Sequence, residues 1–532
     1  MNKETTVEEF SKLISNIPFK NIDLKEIYIN TNEDFILYRH QILNGYYIAI
    51  YNDGNNHLRV ITENKNAFII NLENVDKDNY SILYKVHKPR KIVLDAKPIY
   101  KNDFNLVNGI YDILLISNIF YKLHINDIND FIKTFMNNVD SNNINTLIYN
   151  LHIIKDKFNT ILDKNKMFTM VNKEFELLEV ISRCELNGLP CNCIEFEKFI
   201  NVMNEKFKEN ESTFSEVYKA RYTNLKSLLN GLKQEGHKPV FNEEYLYKTG
   251  NTTLYSLSVV RRIYKENKNR KINSKSDRIL PTYNPYNKIG AIESNFNIDP
   301  LYLPYLTTDK EKYYITSKYE NLELRIFANL SNIDYLIEWS NNNNLIPSMA
   351  EKLFKEQYNE DKQLYELYTY ALLKALIKGY NSLNSIRKYF ISEVQFLLNE
   401  EEIKEYLKKF KEEFKEVIIF IYNFNKTISH ENRVSTSSAM PIYKYMKLTS
   451  SDIMKDFIIK VYKNIKQYNK RNKYKLSIVY LSQDKIIIES DKESYNLALD
   501  ILNRNLSKAY NKYVKNVSML SSVNTGFKRL RA

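Results

Sequence analysis

A chain of 532 residues with 43% apolar side chains and a net charge of +13 is too long for one ordinary domain and too apolar to be disordered. No apolar run approaches the roughly 18 residues needed to span a bilayer, and the polar opening MNKETTVEEF does not read as a signal peptide, so a cytoplasmic protein with no membrane partner is expected. Residues 1–170 hold 20 basic and 20 acidic side chains and the remainder 57 and 44, an asymmetry that fits either a polyanionic partner or a lysine-rich solubilising surface.

Between residues 27 and 120, strand-like runs (YYIAIYNDG, LRVIT, AFIINL, KIVLDA) alternate with turn signals such as NDGNN, and GIYDILLISNIFYKL has apolar residues at helical spacing. An α/β layer is predicted. From about residue 166 the pattern becomes long-helical: KMFTMVNKEFELLEVISRCELNG stops at Gly188 and Pro190, and a second helix is expected over about 194–210. Cys184, Cys191 and Cys193 fall here. Three thiols with no histidine nearby match no zinc spacing and are read as reduced cysteines.

Residues 261–278, RRIYKENKNRKINSKSDR, carry eight basic and two acidic side chains and are predicted to form a loop, either tracking a phosphate backbone or simply solvated. KYYITSKYENLELRIFANLS, from Lys312 to Ser331, reads as a short strand entering an amphipathic helix, with Lys318 where the two meet. Residues 348–425 are almost wholly helical in pattern, and Tyr370, Lys374, Lys378 and Ser382 lie four apart, as on one helical face. Near the end, KLSIVYLSQDKIIIES predicts a hairpin with a tight turn at Ser482–Lys485.

Five stretches resemble, in order and spacing, motifs of the family A DNA polymerases, the group of bacterial DNA polymerase I. YENLELRIFANLS is similar to motif A, DYSQIELRVLAHLS, with Leu322, Glu323, Leu324 and Arg325 on IELR. Upstream, RILPTYNPYNKIGAIESNFNIDP is similar to GRIxPxYNxxxxxTGRLSSxNPNLQ, matching at Arg278, Pro281, Tyr283, Asn284, Gly290, Ser294, Asn295 and Asn297. YTYALLKALIKGYNSL resembles the fingers helix RxxxKxxxFGxxYG, keeping Lys374 and Gly379, with Tyr370 and Lys378 in place of Arg and Phe. LSQDK falls on the VHDE turn of motif C and keeps only Asp484. LDAKPIYKNDFNLVNGIYDILLISNIF is similar to the second motif region of the 3′–5′ exonuclease domain.

The resemblance implies an α+β multidomain chain: an RNase H-like, exonuclease-type α/β domain over 1–165, followed by a right-hand polymerase fold rich in helices. Its parts would be a thumb-like region at 166–285, palm at 286–344, a fingers-like region at 345–440, and palm with a motif C-like hairpin at 441–532. Polymerases of this family hold two divalent ions on carboxylates from motifs A and C. Here Lys318 replaces the motif A aspartate, and Asp484 is the only retained metal-ligand position.

Unit charges 4 Å apart in an effective dielectric near 20 interact by about 4 kcal/mol, so Lys318 is expected to pair with Asp484. Glu320, two residues beyond Lys318, is the candidate substitute ligand. The exonuclease acids are also missing: YYIAIYN has no Asp-x-Glu, Ile99 stands where an aspartate is wanted, and Asp112 is read as structural.

The resemblance therefore implies a protein that binds DNA, primer–template or single strand, in replication or repair alongside other replication proteins, with both catalytic activities lost. No cofactor is expected, and magnesium only where polymerase activity survives. The implied contacts are Lys374, Lys378, Tyr370, Arg325, Arg278, Asn295 and Asn297, with Arg261, Arg262, Lys265, Lys268, Arg270 and Lys271 of the basic segment. For Lys374 a solvated helix lysine is an equal reading; for Asp484 the motif context favours the family position over an ordinary turn aspartate, though a retained position is not a retained role. Two other functions stay open: a divergent but active DNA polymerase of a mobile element or phage, and a protein-interaction scaffold on a retired polymerase fold.

Overall fold

The computed structural model describes residues 22–54, 56–102, 109–121, 144–164, 167–218, 221–284, 291–424 and 441–531. Gly290, the expected boundary at 285–286 and the end of the expected fingers-like region at 425–440 lie outside the described residues.

The N-terminal part is a six-stranded sheet in the order β1-β4-β3-β2-β5-β6. Its strands are β1 (Lys25–Ile29), β2 (Tyr47–Asn52), β3 (His57–Thr62), β4 (Asn66–Asn71), β5 (Arg90–Val93) and β6 (Ile110–Asp112). β2, β3 and β4 form an antiparallel meander, while β5 runs parallel to β2, β6 parallel to β5 and β1 parallel to β4. β3 and β4 are apolar almost throughout because both faces are covered, with Val60, Ile61, Ala67, Phe68 and Ile70 all buried.

The helical spacing of GIYDILLISNIFYKL is only partly realised, since residues 110–112 pair as β6 and helix α1 (Ile113–Tyr121) starts after them. Asp112 makes the switch. Its carboxylate accepts the Leu115 N–H at 2.7 Å and the Ala96 N–H at 2.8 Å, which gives the first turn of α1 its missing acceptor. Full burial, reinforced by nearby Asp95, pushes this carboxyl up to about 8 against the lowering effect of the N–H donors. An unforeseen helix over Asn32–Leu43 is started by a Thr31–Asp34 capping box.

Helix α2 (Phe168–Asn187) is the spine of the molecule. It ends at Gly188, whose φ of +61° suits glycine alone, because a Cβ there would lie 2.7 Å from the Ile279 carbonyl oxygen. The next helix, α3 (Cys193–Tyr218), runs well past the expected 210. Cys184, Cys191 and Cys193 are free and buried, and burial pushes the Cys184 thiol up to about 12.

The C-terminal sheet is antiparallel in the order β8-β9-β7-β10, with β7 (Tyr313–Tyr319), β8 (Leu476–Leu481), β9 (Lys485–Ser490) and β10 (Ser521–Phe527). Helices α4 (Ile442–Arg471) and α5 (Tyr495–Tyr513) pack beneath it. α2 lies against β8 and α4 on one side and against β6 and α1 on the other, so it joins the two sheets.

The contacts of α2 are threaded with buried ion pairs. Glu174 meets Lys455, Lys173 meets Asp456 at 2.7 Å, and Glu185 takes Lys97 at 2.6 Å together with Lys101. Among the described residues no helix is long and apolar enough to cross a membrane.

Removing one partner of a buried pair strands the other charge and costs about 3–5 kcal/mol. Lys455→Met is therefore expected to lower the unfolding free energy from urea titration by an amount of that order, and Lys455→Met with Glu174→Leu to recover most of the loss.

Candidate functional site

Strand β7 ends at Tyr319, and Asn321, in the left-handed region at φ +52°, turns the chain into helix α6 (Leu322–Ser331). Asparagine tolerates that conformation better than most residues. Strand alternation sends Tyr319 into the core, where its hydroxyl donates to the Leu506 carbonyl at 2.8 Å and its ring meets Phe457. Lys318 and Glu320 consequently project to the other side, and Lys318 lines a cleft of about 920 Å³.

The floor of this cleft is charged. Lys318 Nζ sits 3.0 Å from Glu320 Oε1, which also accepts the Ser522 hydroxyl at 2.7 Å. Across the antiparallel register Lys318 stands directly opposite Lys485. The hairpin turn forms where expected, with Ser482 N–H donating to the Lys485 carbonyl at 2.9 Å.

The expected Lys318–Asp484 pair does not form. Asp484 accepts its neighbour Ser482's hydroxyl at 2.8 Å, while Glu320, on the same side of the chain as Lys318, takes the ammonium. Burial would raise the Glu320 carboxyl, but the Ser522 hydrogen bond and the ammonium groups of Lys318 and Lys485 hold it below its ordinary value. Burial depresses Lys485, Lys318 adds to that effect, and Asp484 opposes it.

The wall is built on α7 (Lys362–Ile377). Lys374, 9% exposed, reaches Glu323 in the first turn of α6 at 2.7 Å, and Lys447 of α4 binds the same carboxylate. Burial would raise Glu323 and lower Lys374, but their attraction wins on both sides, leaving the carboxyl below its ordinary value and the ammonium above. Tyr370 lines the cleft one turn earlier, with Lys374 5.6 Å from its ring centre.

Lys378 follows the last turn, 4.7 Å from the Tyr389 ring centre and 5.4 Å from that of Tyr443. The expected helical face stops there. Gly379, at φ +83°, ends the helix, and Ser382 instead caps the next one, α8 (Leu383–Tyr389), by accepting the Ser385 N–H at 3.2 Å.

Of the residues singled out from sequence, Lys318, Asp484, Lys374, Lys378, Tyr370 and Asn297 come together in this cleft, with Glu320 beside them. Others are committed to the scaffold. Arg325 is 3% exposed and donates to the Ser518 carbonyl at 2.7 Å and to Asn343. Arg278 donates to the Asn187 and Gly188 carbonyls, both at 2.9 Å, and pairs with Glu489. Asn295 accepts the Thr282 N–H through its side chain and the Arg270 guanidinium through its carbonyl, each at 2.8 Å.

The basic segment is only partly the loop expected. Its first seven residues complete the helix Thr252–Asn267. Arg261, 5% exposed, gives its guanidinium to the Tyr222 and Thr223 carbonyls, and Arg262 pairs with Glu243 and Asp299. Arg270 stacks 4.4 Å from the Phe296 ring centre, which leaves Lys265, Lys268 and Lys271 as the exposed cations of the original set. Lys485, Lys447, Glu323, Tyr389 and Tyr443 were missed as site residues; for Lys485 the signal was the strand register opposite Lys318.

A lysine- and tyrosine-lined cleft over an antiparallel sheet, walled by helices, is set in the fold of a DNA polymerase domain. The polymerase domain of Pol1 from M. smegmatis, solved in complex with a DNA primer–template and dNTP, aligns with a TM-score of 0.69 at 14% identity, over 94% of this chain and 99% of that one. At that identity the likeness is one of fold. No family model and no curated protein matches the sequence.

The Glu323 cluster has a defined pH window. The depressed carboxyl contributes stability above its ordinary pKa of 4.5, lost as pH falls through the lower folded value; the raised ammonium contributes below 10.5, lost as pH rises through the higher one. Glu323→Gln, which leaves two lysines facing each other, is expected to cost about 3 kcal/mol at neutral pH. In urea titrations that difference should vanish well below pH 4.5.

Proposed function

We propose that this chain binds DNA, primer–template or single strand, in a cleft of the family A polymerase type, and that it no longer carries out nucleotidyl transfer. In this reading the C-terminal sheet is the palm, α7 the fingers helix, and α3 with the helix Thr252–Asn267 part of the thumb. The observation that carries it is the cleft floor, where Lys318, at the position of the family's motif A aspartate, stands directly opposite Lys485, the neighbour of the retained Asp484.

The residues present do not fit a pair of divalent ions. Hard cations need converging carboxylate oxygens, and among the described residues no group of three His, Cys, Asp or Glu side chains could hold a metal. Asp484 is flanked by Lys485, and Glu320 is bonded to Lys318 and Ser522. An ammonium 4 Å from a cation in an effective dielectric near 20 repels each unit of its charge by about 4 kcal/mol.

The N-terminal sheet supports the exonuclease-type reading of that region: three antiparallel strands followed by two parallel ones, in the order β4-β3-β2-β5-β6, is an RNase H-like arrangement. Its chemistry is read as lost too, because Asp112 is buried and spent on capping α1. A role beside other replication proteins accords with this reading.

The test is primer extension with magnesium or manganese, alongside DNA binding by fluorescence anisotropy across a salt series. The expected result is no extension, with affinity falling linearly on a log–log plot at a slope of about −0.9 per phosphate contacted. Robust extension abolished by Asp484→Ala or Glu320→Ala would establish an active polymerase instead. A protein that does not bind DNA at any salt concentration would favour a scaffold.

A further inference from the structure

Three of the five lysines lining the cleft already have carboxylates at ion-pair distance: Lys318 has Glu320, and Lys374 and Lys447 share Glu323. Lys485 and Lys378 have none among the described residues. Lys485 lies on the floor, with Asp484 and Glu320 acting on it only at longer range. Lys378 lies at the end of the helical wall, between the rings of Tyr389 and Tyr443.

The position of Lys485 is unfavourable without a ligand. Directly opposed residues of an antiparallel pair have Cβ atoms about 4.5–5.5 Å apart, and like charges there repel. Lys318 has Glu320 at ion-pair distance, whereas Lys485, partly withdrawn from water and facing the Lys318 ammonium, has only the more distant pull of Asp484 and Glu320. An anion entering the cleft would complete both.

The geometry points to a direct phosphate site, in which Lys485 on the floor and Lys378 on the wall hold phosphate groups by their ammonium hydrogens with no divalent ion between. Lys318 contributes as the second floor cation, and Tyr389 and Tyr443 keep Lys378 aimed inward. The carboxylates that also line the cleft, Glu293, Glu393 and Asp484, keep the site from being a bulk positive surface and confine an anion to these lysines. The ligand class is a phosphate ester, whether the backbone of a nucleic acid or a free nucleoside triphosphate. This inference rests on the DNA-binding reading and adds to it the residues and the metal independence.

The experiment is anisotropy with a labelled primer–template, in EDTA and in magnesium, on the whole chain and on Lys485→Met, Lys485→Arg and Lys378→Gln. The expected result is equal affinity for the unaltered protein in both buffers. Lys485→Met and Lys378→Gln should each weaken binding at least five-fold at low salt and flatten the salt slope by about 0.9, while Lys485→Arg keeps most of the affinity.

Lys378, on the surface of the wall, can be replaced without disturbing the sheet, so the test does not depend on Lys485→Met folding. Inorganic tripolyphosphate and dATP in EDTA separate the sources: displacement of DNA by either at micromolar levels assigns the site to a free polyphosphate, and displacement only by unlabelled DNA assigns it to the backbone. Binding that requires magnesium, or DNA affinity and salt slope unchanged in both Lys485→Met and Lys378→Gln, would overturn this site while leaving DNA binding intact. Absence of DNA binding by the unaltered protein would overturn both.

Discussion

The structure depends on the acidic side chains that α2 carries into its own contacts. A carboxylate withdrawn from water is tolerated only with a partner. Glu174 therefore demands Lys455, and Glu185, about three turns further along the helix, demands Lys97 and Lys101. Lys173 and Asp456 repeat the arrangement with the signs exchanged. Apolar contacts alone would let α4 slide or rotate against α2. Discrete charges at fixed positions along the spine select one register for α4 and one seat for the N-terminal sheet. Because β8 rests on the same helix, the cleft floor inherits its position from these pairs.

The floor itself follows from two regularities of strands. Alternation places Lys318 and Glu320 on one side and buries Tyr319 on the other; antiparallel register brings Lys485 opposite Lys318. Neither residue needs a special conformation. Asn321, in the left-handed region, makes the strand-to-helix turn that aims Glu323 at the wall. The result is two ammonium groups and two carboxylates in close quarters, a mixed arrangement that leaves one lysine without an ion-paired neighbour among the described residues.

Much of this was legible in the amino-acid order. The strand at Lys318, the hairpin turn before Lys485 and the long helix ending at Gly188 follow from local periodicity and turn chemistry, which neighbours in sequence determine. The motif spacing anticipated a polymerase-type fold, and the fold comparison agrees with it. Partnership was less legible. The motif positions matched Lys318 with Asp484, but a hydroxyl two residues from Asp484 and a carboxylate two residues from Lys318 take those places. Composition made a loop of residues 261–278, yet Arg261 is a core residue whose guanidinium satisfies two carbonyls across the helix Thr252–Asn267. Lys447 left no signal, because its place beside Glu323 depends on the packing of α4 against α6.

Glu323 joins three segments that are far apart along the chain, since α6 supplies the acid and α7 and α4 supply one lysine each. It therefore acts as a tether on the wall. Swinging α7 outward stretches the bond to Lys374, and any polyanion that draws Lys374 or Lys447 toward itself loosens the same knot. Occupancy of the cleft and the looseness of its wall are then linked by one free energy, equal in both directions. A wall held by two cations on a single acid can release one strand of the tether while keeping the other, and so yields in steps.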